Sequence, residues 1–327
     1  MKAIIYTKYG PPDVLELKEV EKPTPKANEL LIKVRATTVN RTDCANLKAK
    51  PFIMRIMLGL FKPKNQIMGT EFAGDIEEVG GEVTSFKAGD KVFGFEDGVI
   101  SSYAEYMVIA DDKAVAMMPE EMSYEQAAAC IEGFHYAYNL INKTKLKSGD
   151  KALVNGAAGG IGSATTQLLN YFGAEITAVC KTKDIELVKS LGAGKVIDYT
   201  TDDFTKDADQ YDYVFDSVGK STFGLSKYIM KPGATYISSE LGPNGENILF
   251  SLTTGMLGSL PGQNGKKVKF PYPPDIMRSI LLLKKLIAEG KYKSVIDRSY
   301  PLEEIADAFR YVETGEKTGN VVINVAK

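Results

Sequence analysis

The sequence has few of the residues that build disulfides or metal sites: three cysteines and one histidine among 327 residues. Cys44, Cys130 and Cys180 lie far apart and are odd in number, so a disulfide framework is not expected. Unpaired thiols favour the reducing cytoplasm. No CxxC pair is present that could clip a structural metal ion.

Long apolar runs and a large excess of one sign of charge are also missing. No segment approaches the roughly 18 consecutive apolar residues that a membrane-spanning helix needs. The first residues alternate like a strand and do not form an apolar signal region. The net charge of −2 provides no basic surface for nucleic acid or an anionic membrane. We therefore predict a cytoplasmic protein that binds neither nucleic acid nor a membrane.

The remaining composition is ordinary for a globular protein, with 44% hydrophobic and 25% charged residues. A chain of 327 residues exceeds what one hydrophobic core usually serves, so two domains are expected. Up to residue 122 the sequence is rich in strands and short turns and lacks regular alternation of strands with helices. This part predicts a barrel-like β domain, with strands at Met1–Thr7, Leu15–Val20, Glu29–Val39 and Phe72–Val79. The basic, apolar stretch Lys48–Lys64 predicts a short helix or cap, either a packing insert or a cover over a cleft.

From Ser123 onward, strands alternate with helices. Ser123 begins a helix, and Gln126 three residues later completes a capping box. The alternation predicts right-handed crossovers and a parallel, doubly wound sheet over residues 123–293. Its predicted elements are the strands Lys151–Asn155, Glu175–Cys180, Lys195–Ile197, Tyr211–Phe215 and Ala234–Ser238, and the helices Ile161–Phe172, Asp184–Leu191 and Asp275–Glu289. The final strand, Val321–Val325, is expected to return to the first domain, which then consists of residues 1–122 and 294–327.

A turn of small residues, Gly156–Gly162, connects the first strand of this series directly to its helix. A pyrophosphate needs exposed backbone N–H groups without a Cβ in the way, and it gains from the positive end of the helix. Gly159 allows the phosphates to approach, and Gly162 lets the helix pack on the strand. The pattern is AxxGxxG, because Ala157 takes the place of the usual first glycine. We assign Ala157 and Gly159–Gly162, that is Gly159, Gly160, Ile161 and Gly162, to cofactor binding; the alternative is a tight turn without a ligand.

The end of the second strand distinguishes the two nicotinamide dinucleotides. An NAD-binding fold places a carboxylate there for the ribose 2′-hydroxyl. Here the strand is followed by Lys181, Thr182 and Lys183, and no acidic residue comes before Asp184. Two cations and a hydroxyl suit a 2′-phosphate, so NADPH is favoured over NADH. The alternative is a solvated pair of lysines at a helix entrance.

Motifs along nearly the whole chain resemble the medium-chain dehydrogenase/reductase family, in its zinc-independent, quinone oxidoreductase-like branch. The stretches that carry the resemblance are Val39–Asp43, Gly69–Gly74, Phe86–Gly94, Gly156–Gly162, Leu187–Ala193, Val196–Tyr199 and Thr318–Ile323. The resemblance implies a GroES-like catalytic domain, a Rossmann domain, an active site in the cleft between them and a homodimer. It also implies that Tyr199 lies beside the adenosine 2′-phosphate. We further assign Val218, Ser238 and Asn320 to the cofactor-binding set.

Zinc-binding relatives place Cys where Asn40 stands and His where Thr70 stands. They also carry a four-cysteine lobe, whereas the segment Phe95–Tyr103 has no cysteine. A zinc site of Glu71, His135 and Asp43 has no motif support, and zinc needs three or four ligands in tetrahedral reach. No metal is expected.

Without zinc, a substrate carbonyl is polarised by hydrogen bonds, which suits acceptors that are already electrophilic. Quinones and α,β-unsaturated carbonyl compounds are therefore the predicted substrates, with Asn40 as the donor that orients the carbonyl. The alternative is that Asn40 caps the next turn. His135 is assigned as a proton donor, with a structural role as its alternative. Two other functions stay open: a sensor or structural protein that binds NADPH with little turnover, and a zinc-type alcohol dehydrogenase.

Two further features have predicted roles near the site, one residue and one stretch of the chain. Glu71 is expected to be a buried carboxylate that organises the cleft. The stretch Leu249–Gly265, rich in Gly, Ser and Thr, is expected to form a flexible lip and part of a dimer surface.

Overall fold

The computed structural model describes residues 1–52, 54–98, 100–238, 242, 246–257, 264–271 and 275–325. Two compact units are present. The first consists of Met1–Glu132, Ile276–Ala288 and Lys293–Lys327, and the second of Gly133–Asp275 and Glu289–Tyr292. The domain boundaries at residues 122 and 293 stay predictions.

The described residues contain fifteen strands. They are β1 (Lys2–Ile5), β2 (Glu16–Glu19), β3 (Glu29–Val39), β4 (Glu71–Val79), β5 (Lys91–Phe95), β6 (Tyr106–Ala110), β7 (Val115–Met117), β8 (Lys151–Asn155), β9 (Glu175–Cys180), β10 (Lys195–Asp198), β11 (Tyr211–Asp216), β12 (Met230–Ser238), β13 (Lys267–Lys269), β14 (Ile296–Pro301) and β15 (Asn320–Asn324).

The described residues contain ten α-helices. They are α1 (Arg41–Lys48), α2 (Met54–Leu58), α3 (Tyr124–Ala128), α4 (Ile131–Asn142), α5 (Gly160–Tyr171), α6 (Ile185–Ser190), α7 (Phe223–Ser226), α8 (Glu246–Leu257), α9 (Ile276–Ala288) and α10 (Ile305–Thr314).

The first unit is built on a mixed sheet in the order β14-β15-β3-β4-β5-β7, with β6 also paired to β3. β1 and β2 form a separate antiparallel pair. The long strand β3 is central because β4, β6 and β15 all pair with it, so it is largely buried. Val321 of β15 lies opposite Val39 of β3 in an antiparallel register, which confirms that the last strand returns to the first module.

Apolar side chains of this sheet form a core with Leu30, Ile32, Val34, Phe72 and Ile76 among its buried members. β3 and β4 supply these five residues, and their burial fixes the ends of the two strands in space. The ends matter because Asn40 follows β3 and Glu71 begins β4.

The second unit contains a parallel sheet in the order β10-β9-β8-β11-β12-β13. Counted from β8, this is the order 3-2-1-4-5-6 of a doubly wound, dinucleotide-binding fold. The predicted fold class, a Rossmann sheet with a second, GroES-like β domain, is confirmed. The strand order reverses between β8 and β11, and ligands of such sheets bind at that point, outside the carboxyl ends of the strands.

The predicted capping box is present at the start of α3. The Gln126 backbone N–H donates to Ser123 Oγ at 3.2 Å, and the Ser123 N–H donates to Gln126 Oε1 at 3.0 Å. Each bond occupies an N–H group that a helix start would otherwise leave without an acceptor.

Two predicted segments fall only partly within the described residues. Lys48–Lys64 contains the predicted short helix as α2, while Ile53 lies outside the described residues. Leu249–Gly265 is helical up to Leu257, as part of α8, and residues 258–263 lie outside them. Within the described part of the chain, no helix combines the length and apolar character needed to cross a membrane.

Candidate active site

The glycine-rich turn of the second unit joins β8 to α5 in four residues. Gly156 has a φ of +76°, in the left-handed region that glycine tolerates, and Gly159 is the N-cap of α5. A Cβ on Gly162 would lie 2.0 Å from the Gly156 carbonyl oxygen. Only glycine therefore allows the helix to approach the strand this closely.

The start of α5 fits the pyrophosphate of a dinucleotide. A Cβ built on Gly159 would meet only the Gly156 oxygen, at 3.5 Å, so space is open above the turn. The N–H groups of the first helical residues, Gly160, Ile161 and Gly162, have no acceptors within the helix and carry its positive end. Ala157, also assigned from the sequence, is fully buried.

A buried carboxylate, which the sequence analysis missed, supports this turn from the neighbouring strand. Asp216 ends β11 opposite Asn155 of β8 and accepts a hydrogen bond from Asn155 Nδ2 at 3.0 Å. It also accepts from the Gly219 N–H at 3.1 Å, which shapes the loop after β11. The side chain of Val218 in that loop lies against Gly156, where an added Cβ would meet Val218 Cγ1 at 2.3 Å. The available signal was an acidic residue at the end of an apolar strand.

Thr182 meets a second carboxylate that sequence reasoning did not place there. Its hydroxyl donates to Asp198 Oδ2 at 2.5 Å, and Thr200 Oγ1 donates to Asp198 Oδ1 at 2.7 Å. The Thr182 hydrogen bond is the main reason why the pKa of Asp198 is lowered. Lys183 and Tyr199 are exposed in the same region, and Lys181 is half-buried. The predicted 2′-phosphate site therefore combines two lysines with one ionised carboxylate.

Polar groups cluster in the first unit between the end of β3 and the start of α4; we call Thr38, Asn40, Asp43, Glu71 and Glu132 the polar cluster. Asn40 Nδ2 donates to Glu132 Oε2 at 2.6 Å and to Glu71 Oε1 at 3.1 Å, and it lies 3.0 Å from Thr38 Oγ1. The Glu132 N–H donates to Glu71 Oε2 at 3.0 Å. All five side chains are at most 8% exposed. Glu71 is thus the predicted buried carboxylate, and Glu132 is a second one that the sequence analysis missed.

Burial raises the pKa of each acid of the polar cluster. Burial first, and the neighbouring Glu132 second, raises the pKa of Asp43 to about 8. The same two causes hold the pKa of Glu71 well above its usual value. Burial also raises the pKa of Glu132, against hydrogen bonds from Thr42 and Asn40 and the charge of Lys317.

The structure changes the expectation for Asn40. A side-chain amide has two N–H donors, and three acceptors within the polar cluster already compete for them. The Asn40 backbone N–H also donates to Asp43 Oδ2 at 2.8 Å, as in a helix cap. The backbone N–H of Asn40 therefore contributes to the helix cap, while the side-chain amide hydrogens donate to the carboxylates of Glu71 and Glu132.

Lys317 approaches the opposite side of Asn40. Its Nζ lies 3.4 Å from Asn40 Oδ1 and donates to the Gly319 carbonyl at 2.6 Å. Burial lowers the pKa of this amine, against the charges of Glu132, Cys44 and Glu71, and Arg41 lowers it further. Nothing in its local sequence, a polar turn after α10, marked it as a site residue.

His135 lies in the second unit, on α4, and is fully buried. Its Nε2 is 3.0 Å from Asn139 Nδ2, one helical turn away, which makes Nε2 the acceptor of that bond. The ring also packs at 5.6 Å from Tyr136. These contacts give the ring a structural environment, and its proton-donor role stays a prediction.

The last two predicted cofactor residues are buried. Ser238 ends β12, a neighbour of β11 in the parallel sheet. Asn320 belongs to the first unit, where its Nδ2 donates to the Ala129 carbonyl at 2.8 Å and to the Val295 carbonyl at 3.1 Å. Their contacts with a cofactor stay predictions.

Two known protein families match long parts of this chain. The family described as "Alcohol dehydrogenase GroES-like domain" matches residues 26–120, and "Zinc-binding dehydrogenase" matches residues 191–323. The chain is 34% identical to 2-methylene-furan-3-one reductase of Solanum lycopersicum, over 99% of this chain and 79% of that protein. It is 30% identical to an NADPH-dependent alkenal/one oxidoreductase of Arabidopsis thaliana, over 99% and 79% of the two chains.

Among solved structures, the quinone oxidoreductase of Escherichia coli complexed with NADPH has a TM-score of 0.82 at 25% identity, covering 99% of this chain and 100% of the other. The chain belongs to the medium-chain dehydrogenase/reductase family, in its quinone oxidoreductase-like branch.

Membership of this family raises the question of zinc, because one matching family description names it. The position of the usual cysteine ligand holds Asn40, whose amide nitrogen already donates to carboxylates and cannot bind a cation. The position of the usual histidine holds Thr70, a buried side chain whose hydroxyl has no hydrogen-bond partner among the described residues. In the described part of this oxidoreductase, no group of three or more His, Cys, Asp or Glu side chains is arranged to hold a metal ion. These residues do not fit the usual catalytic zinc.

Proposed function

We propose that this medium-chain dehydrogenase/reductase uses NADPH to reduce α,β-unsaturated carbonyl compounds and quinones. One observation carries the proposal: a glycine-rich turn, with no room for a Cβ at Gly162, lies at the point where a 3-2-1-4-5-6 sheet reverses its strand order. Relatives that share 99% of this chain's length are named for enone reduction, which supports the substrate class.

The second unit would hold the cofactor through its backbone. The N–H groups of Gly160, Ile161 and Gly162 point from the helix start toward the site of the pyrophosphate. Asp216 and Val218 keep the adjoining loop in place. The bound nicotinamide would supply a hydride. Ser238 and Asn320 complete the proposed cofactor contacts.

The preference for NADPH is part of the proposal. Lys181 and Lys183 supply two positive charges beside Thr182, and Tyr199 presents an exposed ring. Asp198 opposes them, because its ionised carboxylate repels a phosphate and can accept from a ribose hydroxyl. Two lysines against one carboxylate favour the phosphorylated cofactor.

The substrate carbonyl would be polarised by protein hydrogen bonds, because the residues at the usual zinc positions do not fit the metal. Electrophilic acceptors suit such a site, since a hydride can add to them without a metal. Asn40 and His135 remain the catalytic residues that the sequence predicts, with the polar cluster holding Asn40 in one orientation.

We further propose a cytoplasmic homodimer. All three cysteines are free and buried, which is compatible with a reducing compartment. The dimer is an expectation carried over from the family, and light scattering of the purified protein would measure it.

An acceptor screen tests the function. We expect the purified protein to consume NADPH with an unsaturated ketone, an unsaturated aldehyde and a benzoquinone, and to leave the matched saturated ketone untouched. Loss of the reduced-nicotinamide absorbance and mass analysis of the product report the reaction. Tight NADPH binding without turnover of any acceptor would instead support a binding protein. Oxidation of a simple alcohol together with stoichiometric zinc would support a zinc-type alcohol dehydrogenase.

A further inference from the structure

We propose that Lys317 is the catalytic group that donates a hydrogen bond, and then a proton, to the carbonyl oxygen of the substrate. This inference rests on the proposed reductase function and adds a residue that neither the sequence motifs nor the family assigns. It makes Asn40 and Glu132 positioning residues for Lys317.

The donors of the polar cluster are already in use. The two N–H groups of Asn40 face three acceptors, and the hydroxyls of Thr38 and Thr42 hydrogen-bond to Glu71 and Glu132. A substrate carbonyl bonded by Asn40 would have to displace a carboxylate oxygen from a buried amide, and leaving that oxygen unpaired is costly. Asn40 and the two threonines therefore have no donor to spare for a substrate carbonyl.

Lys317 has a donor to offer. An ammonium group has three N–H bonds, and two acceptors, the Gly319 carbonyl and Asn40 Oδ1, contact Nζ at 2.6 and 3.4 Å. These two contacts fix the direction of the side chain and leave the third N–H for a ligand. Asn40 is suited to this work because its amide nitrogen is held by Glu132 and Glu71, which turns its oxygen toward the lysine.

The charges around Lys317 suit proton donation. Glu132 first, then Cys44 and Glu71, favour the charged form of the amine, while Arg41 opposes it. Burial outweighs the acids and lowers the pKa of the amine, so the ammonium gives up a proton more readily than an exposed lysine. Among the acids, Glu132 favours the ammonium most strongly. Hydrogen bonds from Asn40 and Thr42, at 2.6 and 2.8 Å, stabilise its anion.

The proposed step balances without a further reactant. The bound nicotinamide would supply a hydride to the β-carbon and be left oxidised, so one C–H bond breaks on the cofactor as another forms on the substrate. The π electrons of the unsaturated carbonyl would move to its oxygen. The Lys317 N–H stabilises that negative charge and then breaks as the O–H bond of an enol forms. The neutral amine regains a proton from solvent, and the enol takes up a proton at the α-carbon as its O–H proton leaves.

Three variants test the role in catalysis. Lys317→Met should lower kcat/KM for an unsaturated ketone by about 100-fold, the size expected for loss of one oxyanion donor, while NADPH affinity stays within about twofold. Lys317→Arg, which keeps charge and donors, should recover most of the rate. Lys18→Met, an exposed lysine paired with Glu16 on β2, is the matched control and should behave like the wild type.

The pH profile separates proton donation from a merely structural effect. Wild-type kcat should fall as pH rises through the pKa of the Lys317 amine, and Lys317→Met should lack this decline. Glu132→Gln removes the acid that most favours the charged amine, so the decline should move to lower pH. The melting temperature of this variant should show that it is still folded. A Lys317→Met enzyme with the wild-type rate and pH profile would overturn the proposal, and so would an unmoved profile in Glu132→Gln.

A binding measurement tests Lys317 without turnover. The probe is 4-nitrophenolate, whose charged oxygen resembles an enolate, titrated into the NADP⁺-bound protein and followed by its absorbance. We expect Lys317→Met to bind it at least about tenfold more weakly than the wild type or Lys18→Met. Equal affinities in all three proteins would overturn the role of Lys317. A wild-type protein that binds the phenolate through Lys317 but reduces no acceptor would overturn the proposed function alone.

Discussion

At the scale of single residues, the polar cluster places three carboxyl groups, those of Asp43, Glu71 and Glu132, in one buried region with one nearby lysine. One ammonium cannot balance three buried anions, so protons must remain on part of the group. The pKa values of all three acids are raised, which agrees with protons remaining on part of the group. The cluster is thus a place where protonation and folding are linked.

This linkage predicts a pH dependence for stability. Asp43 has a pKa of about 8 in the folded protein and about 3.9 in an unfolded chain. The folded state therefore holds a proton that the unfolded state has lost, so the contribution present below about pH 4 is lost as pH rises through about 8. Asp43→Asn cannot ionise, and we expect its unfolding free energy to fall less steeply between pH 6 and 8, by about 1 kcal/mol per pH unit.

Urea unfolding at three pH values measures this slope. Asp112→Asn, on an exposed turn, is the control and should keep the wild-type slope. If Asp43→Asn kept it as well, Asp43 would not be the group that holds the proton.

At the scale of elements, the turn between β8 and α5 depends on a contact that a single methyl group would destroy. Gly162→Ala would place its Cβ 2.0 Å from the Gly156 oxygen, so the helix start must move away from the strand. We expect this variant to lose about 1–3 kcal/mol of stability, as overpacked sites do. Its NADPH affinity should fall at least about tenfold, because the displaced N–H groups no longer converge on the pyrophosphate.

Gly194→Ala is the matched control in the same unit. Its nearest neighbour would be the Ile176 oxygen at 3.9 Å, an ordinary contact. Denaturant unfolding and NADPH titration should find this variant close to the wild type. A Gly162→Ala protein with unchanged affinity would show that the turn does not hold the cofactor.

The same scale explains what could be predicted from the sequence. The predicted ranges for β3, β8 and β9 agree with the structure residue for residue, because long apolar or alternating runs bounded by turn residues fix a strand locally. The strands β7 and β13 were not predicted, since three residues carry little periodic signal. Their pairing with distant strands creates them.

The part of the site formed by consecutive residues could be predicted from the sequence. The part assembled from residues far apart in the chain could not. Gly156–Gly162 carries its function in consecutive residues, and the structure forms the expected strand, turn and helix there. Glu132, Asp198 and Lys317 act through contacts across 92, 16 and 277 positions of the sequence. A usable signal existed for Glu132, which directly follows the buried apolar run Ala127–Ile131.

At the scale of the whole molecule, the two units carry different parts of the proposed reaction. The second unit contains the turn, the switch point and the lysines for a phosphorylated dinucleotide. The first contains the polar cluster and Lys317, which would meet the carbonyl oxygen. The proposed reaction therefore requires that the second unit bind a nicotinamide dinucleotide and recognise its 2′-phosphate.

Calorimetric titration of the purified protein with NADPH and with NADH tests that claim most directly. We expect NADPH to bind at least about tenfold more tightly, since charge-assisted bonds to the 2′-phosphate are among the strong ones. Lys183→Met should reduce this preference, and Asp198→Asn, which removes the opposing carboxylate, should increase it. Binding of neither dinucleotide at millimolar concentration would contradict the account, and equal binding of both would contradict its assignment of the lysines.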